Sequence, residues 1–301
     1  SLVTKPLGIL IQDIQEVSSG NLDHTSRVRT NDEIGLLAAT FNTMTKNLRI
    51  AREAEIERRS MEHELNIASE IQANLLPKRL PKIPNYDIGA YYRPSKDVGG
   101  DYYDFFPIDN EHLGIVVADV SGKGIPASLV MTMARSLIKM EAQRNLSTAD
   151  TLVKVNRMIA QDIRRGMFVT AIYMILNIRT NVLLVSSAGH NPLVLWRQSK
   201  GGVVLVNPKG IALGFDKSGK IFERSITEEK VILGKGDRAV AYTDGVVEAM
   251  NLQKEQFGDK RFYQFVQKFA NRDSHQFVNL LVEILDEFKG DAPQHDDITI
   301  A

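Results

Sequence analysis

Residues 98–128, VGGDYYDFFPIDNEHLGIVVADVSGKGIPAS, constrain the fold more than any other stretch of the chain. Two short apolar runs, 102–106 and 113–118, flank a Pro-Asp-Asn turn, the pattern of a β-hairpin. Asp101 stands just before the first run and Asp119 just after the second. Antiparallel pairing then brings both carboxylates to one end of the sheet. Gly99 and Gly100 on one side, and Gly122 and Gly124 on the other, let backbone approach a ligand closely. Like charges gathered on apolar strands call for a compensating cation, and oxygen donors without cysteine favour Mg²⁺ or Mn²⁺.

The composition removes several alternatives. With 301 residues the chain has room for two domains or one large one. Lys+Arg and Asp+Glu both number 37, so no basic excess argues for nucleic acid. The absence of cysteine excludes disulfides, thiol catalysis and cysteine zinc sites. No apolar run reaches the roughly 18 residues of a membrane span and no signal peptide opens the chain, so the chain as given is expected to be soluble.

Toward the N-terminus, Leu7, Leu10, Ile11, Ile14 and Val17 form a helical stripe with Pro6 in its first turn, stopped by Ser19-Gly20-Asn21. A second stripe, Ile34, Leu37, Phe41, Met44 and Leu48, follows Thr30 and Glu33, which have capping-box spacing. Two such helices cannot bury their stripes alone; dimerisation solves that, and so does packing on the rest of the chain. Residues 50–76 continue the helix. Ala54, Met61, Ala68 and Leu75 recur every seven residues, with Glu57 and Glu64 where a strong coil places leucine. The pattern fits either a solvated helix or a weak coiled coil able to change its packing. Pro77, Pro81 and Pro84 end it. The expected domains are 1–50, a helical linker 51–84, and 85–301.

Pro6, the glycine closing the first helix, the Asn-Leu-Asp after it and Asp32-Glu33-Ile34-Gly35 resemble a HAMP domain. The resemblance implies a parallel homodimer formed through these helices and the linker. It also implies an upstream transmembrane or sensor segment outside this chain, which would make the chain the cytoplasmic portion of a bacterial inner-membrane protein.

Beyond the prolines, the pattern gives strands at 86–92, 168–178, 182–187, 193–197 and 203–206, and helices at 125–145 and 147–165. Residues 207–224 read as a mobile flap, and 231–233 with 238–243 as a hairpin across Gly-Lys-Gly-Asp. Helices at 259–270 and 274–289 precede a last strand at 298–301. Hairpins with helices grouped between them indicate an α+β fold. Asp244 ends the run RAVAYTD, while Asp296 and Asp297 open the last strand. Acids from four segments thus sit at strand ends, where a sheet can gather them into one oxygen cage. Two bridged metals there would activate water and clamp a phosphoryl group. A rival nucleotide site, G-x-G-x-x-A at 122–127, lacks both an acid on a second parallel strand and the Ser or Thr of a Walker motif.

The ordered motifs VGGDYYDFF, ADVSGKGIPAS, SAGHNP, YTDGVVEA and HDDIT resemble bacterial metal-dependent protein phosphatases (PPM, 2C-type) of the SpoIIE/RsbU branch. IASEIQANLLP resembles that branch's helical lead-in. The resemblance implies an αββα sandwich with two Mn²⁺ or Mg²⁺ ions between its sheets. Asp119 would bridge both metals and the Val120 carbonyl would bind the first. Asp244 and Asp296 would hold the second, and Asp101 would act directly or through water. Asp297 and Gly122 would support these ligands from behind. Arg93 or Lys96 would take the place of a phosphate-binding arginine. The nucleophile would be water, with no catalytic side chain; His190 has two readings, a proton donor or a residue hydrogen-bonded in a strand-end turn, and the second is favoured. The implied substrate is a phosphorylated protein, an anti-sigma-factor antagonist. The alternative is a catalytically inactive relative that only binds a partner.

Overall fold

A computed structural model describes residues 4–301. The chain forms two compact units, Ser1–Ile67 and Ala68–Ala301. In the first, α1 (Thr4–Ser18) and the N-terminal part of α2 (Glu33–Leu75) bury Leu10, Val17, Ala38 and Phe41 together. The connector is pinned by the Asn42 carboxamide, which accepts from Ser26 N–H at 2.8 Å and donates to the Ser26 carbonyl at 2.9 Å. The cap of α2 is Asp32, not the Thr30/Glu33 box. Its Oδ1 accepts from the N–H groups of Ile34 and Gly35, both at 3.1 Å, and Thr30 serves only to hold that carboxylate. Leu7, Ile11, Ile14, Leu37, Met44 and Leu48 from the two stripes stay exposed.

The second unit takes in the last turns of α2 and then β1 (Tyr91–Arg93), β2 (Tyr102–Pro107), β3 (His112–Val120), α3 (Ile125–Ala142) and α4 (Thr148–Asp162). It continues through β4 (Val169–Asn177), β5 (Val182–Ala188), β6 (Leu193–Arg197), β7 (Gly202–Val206), α5 (Lys220–Ser225), β8 (Glu229–Ile232) and β9 (Arg238–Val240). It closes with α6 (Asp244–Val247), α7 (Gly258–Phe269), α8 (Ser274–Lys289) and β10 (Ile298–Ile300). One sheet has the order β2-β3-β4-β5-β8. The other is β7-β6-β9, prolonged to β10 and β1 by a Tyr242–Ile300 bridge and reciprocal 2.9 Å bonds between Ala241 and Ala301.

The two-residue period of a strand explains the layering. On β6, Leu193 and Leu195 join the core shared with the first sheet, while Val194 and Trp196 join Phe262, Phe265 and Phe277 of α7 and α8. On the other side α3 and α4 cover β3, β4 and β5. The result is the expected αββα sandwich.

Three local expectations give way. β8 pairs with β5 and β9 with β6, so Gly234-Lys235-Gly236-Asp237 is a crossover between sheets and not a hairpin. Asp237 fixes that crossover by accepting from Arg197 at 2.7 Å and from Gly234 N–H at 2.8 Å. Residues 207–224 are not a free flap: Leu213 exchanges backbone bonds of 3.0 and 2.8 Å with Val169. The Asp216 carboxylate caps α5 through Ile221 N–H at 2.7 Å, and Phe222 is fully buried. The strand expected at 86–92 contracts to β1.

Candidate metal centre

The hairpin places the first two acids as its register requires. Tyr102 faces Ala118 across β2 and β3, which brings Asp101 and Asp119 to the same end. Asp101 is 1 % exposed, and its Oδ2 accepts from the hydroxyls of Thr243 at 2.7 Å and Thr299 at 2.5 Å. Those threonines immediately precede α6 and lie on β10, so one carboxylate ties together the segments carrying Asp244 and Asp296. Burial, with the Asp119 charge beside it, holds the Asp101 carboxyl well above the usual range. Asp119, opposite Thr170 on β4, is pushed up to about 7 by burial and then by the charges of Asp244, Asp296 and Asp297. A hydrogen bond with Asp101 offsets part of this rise. Asp244 is pushed up to about 6 by burial and by Asp296 and Glu248.

Asp297 lies behind the acids. Its Oδ1 accepts from Ser95 N–H at 2.7 Å and the Ser95 hydroxyl at 2.9 Å, and its Oδ2 accepts from Gly100 N–H at 2.7 Å. It therefore organises the loop leading to Asp101. Gly100 is needed there, since a Cβ would come within 2.8 Å of the Val120 carbonyl. Gly122 and Gly124 take positive φ values of 96° and 76°, and between them Lys123 reaches Asp296 Oδ2 at 3.0 Å and the His295 carbonyl. The side chains of Asp101, Asp119, Asp244 and Asp296 thus share one end of the sandwich. Arg93 turns away to Asp286, with bonds of 2.8 and 3.1 Å, whereas Lys96 is exposed. His190 is buried, bonds Thr170 Oγ1 through Nδ1 at 2.9 Å and is pushed down to about 4 by desolvation. It is neutral at pH 7, a hydrogen-bonded imidazole and not a charged acid.

Among the described residues, no three His, Cys, Asp or Glu side chains converge as a ready cage. The acids act on one another through charge, and Lys123 holds Asp296 by an ion pair of 3.0 Å. The donor set nevertheless fits a hard divalent cation. It is all oxygen, and burial together with neighbouring negative charge raises the proton affinity of Asp101, Asp119 and Asp244.

Thr243, Thr299, Ser95 and Lys123 escaped the reading of acids alone. Thr243, Thr299 and Lys123 lie inside the motifs YTDG, HDDIT and SGKG, so adjacency to the acids was their available signal.

The sequence pattern described as HAMP domain matches residues 1–50, and that of Stage II sporulation protein E (SpoIIE) matches residues 109–301. Phosphoserine phosphatase RsbU of Bacillus subtilis is 34% identical over 187 residues, covering 62% of this chain and 53% of that protein. The chain spans about half the length of the curated relatives it matches. The SiaA-PP2C domain of Pseudomonas aeruginosa superposes with a TM-score of 0.71 at 23% identity, over 81% of this chain and 96% of that one. The PP2C phosphatase domain with a fragment of the regulatory domain of SpoIIE from Bacillus subtilis gives 0.61 at 16% identity, over 70% and 60%. With the pattern covering most of the sandwich and the architecture shared with these domains, the chain belongs to the Stage II sporulation protein E (SpoIIE) family and carries a HAMP domain at its N-terminus.

Proposed function

We propose that the sandwich is a metal-dependent phosphoprotein Ser/Thr phosphatase. The observation that carries this reading is the gathering of Asp101, Asp119, Asp244 and Asp296 at one end, where burial first and neighbouring negative charge second raise the proton affinity of Asp101, Asp119 and Asp244. Two Mn²⁺ or Mg²⁺ ions held there would neutralise phosphoryl charge and make a water nucleophilic. Asp119 would bridge the ions, with the Val120 carbonyl on one and Asp244 and Asp296 on the other. Asp101 would complete the set, its orientation fixed by Thr243 and Thr299. Asp297 and Gly122 would shape the loops behind, and exposed Lys96 would steer substrate phosphate, Arg93 being engaged by Asp286.

The RsbU relative is a phosphoserine phosphatase, which supports a phosphorylated serine as the target; the resemblance of the motifs to the SpoIIE/RsbU branch would make that target a phosphorylated anti-sigma-factor antagonist. The exposed stripes of α1 and α2 support a homodimer through the HAMP and linker helices. The HAMP domain supports a place in a membrane-linked receptor, the sensor and span lying outside this chain; among the described residues no helix is long and apolar enough to cross a membrane. Release of phosphate from a phosphoserine peptide tests the activity. Turnover requiring Mn²⁺ or Mg²⁺ and abolished by chelator supports it, and turnover that survives chelation excludes it.

A further inference from the structure

We propose that Gln72 is a positioning residue: the end of α2 grips the segment before Asp101, so that this helix governs assembly of the acid site. The inference rests on the metal-dependent reading above. Gln72 is a neutral side chain only 6% exposed, in the last turns of a helix whose preceding turns are mostly solvated. Both ends of its carboxamide are used on one residue. Nε2 donates to the Gly99 carbonyl at 2.7 Å, and Oε1 accepts from Gly99 N–H at 3.0 Å. The amide thus pairs with the peptide as a neighbouring strand would, and no smaller or charged side chain reproduces both bonds.

Gly99 is tightly enclosed on its other side. A Cβ there would lie 2.3 Å from Asp297 Oδ2 and 2.4 Å from the Tyr92 hydroxyl. The next residue, Gly100, donates to Asp297 and lies against the Val120 carbonyl, and Asp101 follows. Displacement of Gly99 is therefore passed to three of the groups assigned to the site or its support. The same helix end is tied to α3, which follows the Asp119 loop, by a 2.8 Å bond from Arg135 Nε to the Leu75 carbonyl. Because α2 is unbroken from Glu33 to Leu75, an axial shift of one residue, about 1.5 Å, moves these contacts together and breaks both bonds to Gly99.

The test compares the full chain with Gln72→Leu and Gln72→Glu. Mn²⁺ affinity is measured by calorimetry, and amide hydrogen exchange at 99–101 is measured without added metal. A carboxylate keeps the acceptor but loses the donor, whereas leucine loses both. The expected result is Mn²⁺ binding about tenfold weaker for Gln72→Leu, intermediate for Gln72→Glu, with faster exchange at 99–101 in the same order. Thermal melting checks that both variants fold; if the leucine variant does not, the glutamate variant decides alone. Folded variants with unchanged affinity and unchanged exchange overturn the proposal. A wild-type chain that binds no Mn²⁺ overturns the phosphatase reading instead, and the exchange comparison then still decides whether Gln72 holds the loop.

Discussion

Asp119 and Asp244 set a pH dependence opposite to that of ordinary surface carboxylates. A carboxyl whose pKa is raised on folding binds its proton more tightly in the folded state. The stability this contributes is complete below the ordinary value of 3.8, and is lost as pH rises through about 6 for Asp244 and about 7 for Asp119. Burial is the main cause at both, with like charge next, and a divalent cation removes the second cause by neutralising the acids. In chelator the melting temperature should therefore fall between about pH 4 and pH 7, and the increment produced by Mn²⁺ should grow over the same window. Calorimetric melting at several pH values measures both. An Mn²⁺ increment independent of pH would show that these carboxyls are not where the metal acts. The candidate acids were legible in the sequence because each closes or opens an apolar run. Their hydroxyl partners were less so: Thr243 and Thr299 become functional only when Asp101 is folded between them.

At the scale of elements, the site depends on how closely α6 and β10 approach. A Cβ on Gly245 would lie 1.9 Å from the Asp297 carbonyl, closer than any side chain tolerates. Gly245→Ala should push β10 away, weaken Mn²⁺ binding and cost about 1–3 kcal/mol of stability by urea unfolding, the usual range for overpacking. A variant of wild-type stability and affinity would contradict that packing. The central hairpin and the four long helices of the sandwich followed from periodicity, since each buries one face; the order of strands in the two sheets did not. The crossover at 234–237 did not, because a Gly-rich turn between two apolar runs reads as a hairpin unless their partners are known. What redirects it is Asp237, paired with Arg197 forty residues earlier in the chain. The anchoring of 207–224 was hidden for the same reason: its ties are to Val169 on β4 and to a single buried ring, Phe222.

On the scale of the whole molecule, each unit has its own core, but they differ in what they leave uncovered. The first exposes Leu36 at 71% and Leu37 at 52% along with the outer residues of α1, an apolar face that a monomer rarely presents. The full chain should be a dimer in light scattering, and a fragment comprising Ala68–Ala301 a monomer; a dimeric fragment would move the interface to the sandwich. Both outcomes leave the chemistry of the acid site intact, so the central claim needs its own measurement. Calorimetric titration of the full chain with Mn²⁺, beside Asp119→Ala, provides it. Two ions should bind the wild type, and none with comparable affinity the variant, whose melting temperature in chelator at neutral pH should equal or exceed that of the wild type because a buried like charge has been removed. Equal Mn²⁺ binding by the two proteins would contradict the assignment of Asp119 as the residue on which the metal centre is built.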